Sequence, residues 1–187
     1  NNIKRIDLQK KSLKNFLLTH QLIAKKTDIY RNEVLTNQSA LLNIIDKDCL
    51  KILHVTNFNY RFDGRLFYNT GKRINNGFIQ LGHAVLEFSD RDILHDNKKI
   101  NDFKGATSLN LKLVRACNNF KPDMVVLGHA DRISQKTISI IKNKYPNTRF
   151  AQWFLDPLNK KGPDYLRNKS RLLEKSLHMD ANFLTTS

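Results

Sequence analysis

From Lys51 onward, apolar residues fall in short runs separated by stretches of helix length. Lys51-Ile-Leu-His-Val-Thr-Asn57 is brief and β-branched, as a strand buried on both faces requires. A polar loop from Phe58 to about Thr70 follows, and Ile74, Phe78 and Leu81 then mark one face of a helix. That helix is expected to stop at Gly82, since glycine takes the left-handed C′ conformation without steric cost. His83–Phe88 reads as a second strand and residues 89–107 as a charged loop. Ser108 is placed to cap a helix with the apolar face Leu109, Leu113, Val114, Cys117 and Phe120. Met124–Leu127 is the third strand, and Ile138, Ile141 and Tyr145 form the next helix face, closed by Pro146. Arg149–Leu155 is the fourth strand. A helix over about 163–178 is expected to pack Leu166, Leu173 and Leu177 inward, and Ala181–Thr186 is a fifth strand.

Five strands alternating with helix-length segments imply right-handed βαβ crossovers, hence an α/β, Rossmann-like parallel sheet flanked by helices. Residues 1–48 lack both Gly and Pro. Their apolar stripes, Ile6, Leu13, Phe16, Leu17 and Ile23, then Tyr30, Val34, Leu42 and Ile45, predict a helical segment ahead of a domain over 49–187. In such a sheet ligands bind beyond the carboxyl ends of the strands. That rule selects loops 57–73, 89–107, 128–132 and 153–163.

Charge narrows the partners. Thirty-two Lys and Arg against 17 Asp and Glu give +15, which favours phosphorylated metabolites, nucleic acid or an acidic membrane leaflet. The cations are spread along the chain, denser from Lys160 to Lys175, and form no Arg-rich arm, which disfavours nucleic acid. Cys49 and Cys117 lack metal-ligand spacing and read as small core residues of a reducing compartment. No apolar run reaches the ~18 residues of a membrane span, and the polar N-terminus has no signal-peptide h-region. The expected location is the cytoplasm, with the inner membrane face as a peripheral partner. Because the chain opens at Asn1 rather than Met, it is expected to be a piece of a longer protein.

Several segments carry a family likeness, in order, over about residues 51–187. Leu81-Gly82-His83-Ala84-Val85, Lys121-Pro122-Asp123-Met124-Val125-Val126 and Asp180-Ala181-Asn182-Phe183-Leu184-Thr185-Thr186-Ser187 resemble strand junctions in the N-terminal domain of GT-B-fold glycosyltransferases. The stretch from Arg61 to Gly77 and Trp153-Phe154-Leu155-Asp156-Pro157 resemble the CgeB-like, spore-maturation-type branch of group 1 of that family. The resemblance implies two Rossmann-like domains around a cleft, this chain supplying the acceptor side. The C-terminal domain that holds most of the donor would lie outside it, so the chain alone is expected to be inactive. The implied reaction moves a sugar from a nucleotide-diphosphate sugar, the co-substrate, to a glycan or lipid-linked acceptor in cell-surface polysaccharide synthesis. No metal or other cofactor is expected.

Glycosyl transfer needs a group near the acceptor hydroxyl and positive charge near the departing diphosphate. In loop 57–73, Asp63, Gly64, Arg65, Asn69, Lys72 and Arg73 run into a helix N-terminus and are candidate substrate-binding residues; solvent-facing loop charges are the plainer reading. Gly64 and Gly71 stand apart rather than as a close pair. His129 and Asp131, directly after the third strand, are candidate catalytic groups, although Asp131 or Ser134 also suits a helix cap. Trp153 and Asp156 offer an aromatic face beside a carboxylate, suited to a sugar; the alternative is a core Trp followed by an Asp-Pro turn. His54, inside the first strand, reads as a satisfied core histidine. The rival function is a non-enzymatic basic α/β module that binds nucleic acid or a protein. A dinucleotide enzyme is disfavoured because no G-x-G-x-x-G follows the first strand.

Overall fold

The computed structural model describes residues 48–65, 67–98, 102 and 105–184. The helical segment expected over 1–48 therefore lies outside the described residues, apart from Asp48. The sheet is all-parallel, in the order β2-β1-β3-β4-β5. Its strands are β1 (Lys51–Thr56), β2 (Ala84–Ser89), β3 (Met124–Gly128), β4 (Arg149–Phe154) and β5 (Ala181–Leu184). Helices α1 (Thr70–Gln80), α2 (Asp90–Asp96), α3 (Ala106–Phe120), α4 (Gln135–Lys144) and α5 (Tyr165–Ser176) connect them. This is the Rossmann-like α/β arrangement that the alternation of runs predicts. The order reverses between β1 and β3, so the switch point where such sheets bind ligands lies there.

Strand alternation divides the core. Leu53 and Val55 of β1, Val125 and Leu127 of β3 and Phe150 of β4 face one side. There they pack with Leu109, Leu113 and Cys117 of α3 and with Ile138 and Ile141 of α4. Burial pushes the Cys117 thiol up to about 12, so it is inert at neutral pH. On the opposite side the Trp153 ring crosses β3 directly over Gly128, where a Cβ would stand 2.0 Å from the ring. Its indole N–H donates to His54 Nε2 on β1 at 3.2 Å, while His54 Nδ1 faces Asn75 Oδ1 of α1 at 3.2 Å. Both ring nitrogens of His54 are thus occupied, and burial pushes it down to about 4. It is the satisfied core histidine expected from the sequence.

Four local expectations change. The segment 89–107 is not wholly loop: α2 begins at the residue after β2. Ser108 does not cap α3, because Gly105 occupies the N-cap and the Asp102 carboxylate accepts from the Ser108 backbone N–H at 2.8 Å. Cys49 is exposed rather than part of the core. Helix α5 is turned over: Leu166, Leu173 and Leu177 are 77%, 52% and 83% exposed, and the buried side chains are Asn168, Leu172 and Lys175. The acidic carboxyl ends of β3 and β4 attract the helix's polar face. By contrast, Gly82 ends α1 as expected, at φ 86°.

Candidate functional site

A cavity of about 610 Å³ opens at the carboxyl ends of β1, β2 and β3, beside the switch point. Its lining is mostly charged: Arg61, Arg91, Arg132, Arg167 and Lys98 against Asp90 and Asp131, with His95 and His129. The first wall is set by the loop after β1. The Phe58 backbone N–H donates to Ser89 Oγ at 3.0 Å and that of Tyr60 to Asp92 Oδ2 at 2.9 Å. Ser89 also donates to Asp92, and Arg61 Nε lies 3.6 Å from Asp92 Oδ1. The residues around the start of α2 therefore clamp this loop and carry Arg61 to the cavity.

On the far side a cation missed in the sequence organises the candidates. Arg171 of α5 donates to Asp131 through Nε at 3.2 Å and Nη2 at 2.8 Å, and to Asp156 Oδ2 through Nη1 at 2.5 Å. This fork geometry matches the carboxylates well. Burial pulls the guanidinium down, but its bonds to the two aspartates outweigh that and hold it above its ordinary value. His129, at φ 51°, accepts the Leu155 backbone N–H on Nε2 at 3.2 Å, and its Nδ1 lies 3.6 Å from Asp156. Burial lowers the affinity of the ring for a proton, with Asp156 opposing. With one nitrogen taken by backbone and the other facing a carboxylate, His129 ties the ends of β3 and β4 together. Its base position is already used.

The structure thus brings His129, Asp131 and Asp156 into one cluster, and the acids are joined through Arg171 rather than free. Ser134, not Asp131, caps α4, accepting from the Thr137 backbone N–H at 3.1 Å. Trp153 is buried, with only 8% exposed, so it supports the floor through His54 and does not offer an open stacking face.

The expected residues of loop 57–73 are not gathered at the cavity. Asn69 is the N-cap of α1, accepting the Lys72 backbone N–H at 2.7 Å. Lys72 Nζ sits 2.5 Å from Glu87 Oε1. Asp63, Gly64, Arg65 and Arg73 are exposed, and none lines the cavity.

Asp90 stands apart. It follows β2 directly, is 2% exposed, lines the cavity, and its Oδ1 has no hydrogen-bond partner among the described residues. Burial pushes its carboxyl up to about 6, against the pull of the Arg91 guanidinium and backbone N–H. Its signal in the sequence is a carboxylate at the carboxyl end of a strand, inside a segment read only as a charged loop. Among the described residues, no group of three or more His, Cys, Asp and Glu is arranged to hold a metal. No helix among them is long and apolar enough to cross a membrane. No protein-family model matches this chain, and no curated protein does.

Proposed function

We propose that this chain is the acceptor-side domain of a nucleotide-sugar-dependent glycosyltransferase of GT-B type. The observation that carries the reading is the 610 Å³ cavity at the switch point, rich in cations and bordered by a buried carboxylate. An α/β sheet of this order offers its ligand site there. The ordered resemblance over 51–187 supplies the reaction class. Donor and acceptor are a nucleotide-diphosphate sugar and a glycan or lipid-linked hydroxyl of a cell-surface polysaccharide. Cations at the cavity offset phosphate charge without a metal, and the Arg171 network with His129, Asp131 and Asp156 fixes the geometry of the cleft floor. The membrane's inner face fits the basic balance as a peripheral partner.

The test is turnover by the full-length gene product with a panel of nucleotide-diphosphate sugars and glycan or lipid-linked acceptors. Release of nucleoside diphosphate from at least one donor, dependent on acceptor, is the expected outcome. Failure to bind or turn over any donor contradicts the reading. Salt-sensitive binding of random oligonucleotides, without turnover, would instead favour a basic binding module.

A further inference from the structure

Helices α3, α4 and α5 form one layer on one side of the sheet, as right-handed crossovers in the order β2-β1-β3-β4-β5 require. Thr137 of α4 donates to Asn110 Oδ1 of α3 at 2.7 Å, and Tyr145, at the end of α4, donates to Asn118 Oδ1 of α3 at 2.6 Å. Gln135 of α4 donates to the Glu174 carbonyl of α5. The charge of this layer has one sign: α3 contributes two Lys or Arg, α4 three and α5 four, against a single acid, Glu174. The acids sit instead next to strand ends, as Asp123, Asp131, Asp156 and Asp180 do. Lys112, Arg115, Lys136, Lys144 and Lys169 are exposed. The same layer turns aliphatic side chains to solvent. On α5 the i, i+7, i+11 spacing lines up Leu166, Leu173 and Leu177 along the helix, opposite its buried Asn168 and Lys175. Leu111 of α3 and Ile140 of α4 are also exposed. Leucines scattered singly on a surface need no partner, but a line of three on a helix that buries its polar side does.

The combination of cations with aliphatic side chains discriminates between partners. Nucleic acid matches the charge, but its single strands gain affinity by stacking on aromatic rings, which this stripe lacks. A protein partner matches the leucines, but the cores of protein interfaces are depleted in lysine. An anionic bilayer uses both: aliphatic side chains enter the boundary between headgroups and acyl chains, while Lys and Arg stay among the headgroup charges. We propose that the outward face of α3, α4 and α5 docks on the surface of an anionic lipid bilayer, with Leu166, Leu173 and Leu177 entering the interface. The membrane partner of the proposed function thereby acquires a definite face, and that face does not depend on the glycosyltransferase reading.

Co-sedimentation of the full chain with lipid vesicles tests the proposal. Vesicles of two parts phosphatidylcholine to one part phosphatidylglycerol should bind the chain at least tenfold more tightly than pure phosphatidylcholine. Lys136→Glu with Lys169→Glu should weaken binding to the mixed vesicles at least tenfold. Arg65→Glu with Arg73→Glu makes the same charge change on exposed residues of the loop after β1 and of α1, which packs on the opposite side of the sheet at His54. That pair should weaken binding less than threefold; equal weakening by the two pairs means diffuse attraction to net charge and overturns the proposal. Leu173→Ser with Leu177→Ser leaves the charge unchanged and should weaken vesicle binding at least fivefold, so wild-type affinity in this variant also overturns it. Leu177→Trp, which keeps an apolar side chain, gives a second readout should the serine variant misfold. Its emission should shift to the blue on mixed vesicles, against the buried Trp153 as background, and an unshifted emission contradicts insertion. A leucine-dependent dimer in sedimentation velocity without vesicle binding assigns the face to a second copy. Oligonucleotide binding that the lysine pair abolishes, again without vesicle binding, assigns it to nucleic acid; either result overturns the proposal. Vesicle binding as described with no turnover of any nucleotide sugar leaves the docking face standing and rejects the glycosyltransferase reading. Turnover without vesicle binding rejects the docking face alone.

Discussion

Two sets of charged residues share the cleft, and they are built in opposite ways. Around Arg171, every candidate group has a partner: two aspartates on one guanidinium, and a histidine held between a backbone N–H and a carboxylate. Around Asp90, the buried acceptor oxygen and the cations Arg91, Arg132 and Lys98 lack such partners among the described residues. A satisfied network fixes the distance between strand ends and gains little from a ligand. In the second set the buried, unpartnered Asp90 oxygen costs stability, whereas the exposed cations stay hydrated and open to an anion. The difference separates charged residues tied to one another from charged residues still open to a ligand.

The sharpest way to break that distinction is to remove Arg171. Arg171→Met leaves Asp131 and Asp156 facing each other without a cation; loss of about 2–3 kcal/mol is expected, below the fully buried case because all three side chains are partly exposed. Urea denaturation measures it, and a loss under about 0.5 kcal/mol would mean the network is not architectural. Asp90→Asn should act with the opposite sign. The carboxyl is held near 6 in the fold against 3.8 in its ordinary state. The folded form therefore keeps its proton through that window while the unfolded form loses it, and stability falls as pH rises from about 4 to about 6. The Asn variant escapes that fall and should be about 1–3 kcal/mol more stable than wild type at pH 7.5, with little difference at pH 4. Denaturant melts at the two pH values check this; a destabilised variant at pH 7.5 would place Asp90 among the structural residues.

Smaller effects complete the contrast. Arg91→Gln and Arg132→Gln should each change stability by less than about 0.5 kcal/mol, because neither side chain gives up an ion pair. A thermal scan showing a loss comparable to that of Arg171→Met would erase the difference between the two sets. Leu173→Ser and Leu177→Ser should be equally quiet, since both leucines are exposed; a clear loss of stability on either would return α5 to the orientation expected from its leucine spacing.

The sequence makes the scaffold legible because strands buried on both faces must be apolar, or carry a satisfied polar group as His54 does within Ile52–Val55; Val125–Leu127 is apolar throughout. Gly82 is readable for a different reason: its position demands a left-handed residue. Helix α5 misleads because leucine spacing defines a stripe without saying which way it points, and the direction was decided by Asp131 and Asp156 drawing Arg171 inward. Helix α2 is short and acidic, so periodicity has too few positions to register it. His129, Asp131 and Asp156 are found by their place after strands, but their pairing is tertiary. Asp90 has the same placement and escapes notice because one acid in a charged stretch looks like another until its burial is known.

The account turns on which arginines meet an anion. Side-chain guanidinium NMR signals of Arg91, Arg132 and Arg171 should be followed in the full chain as inorganic pyrophosphate is added. The account predicts saturable shifts for Arg91 and Arg132 and an unmoved Arg171, still locked to its two aspartates. Shifts of equal size at Arg171, or no saturable shift at Arg91 and Arg132, would contradict it.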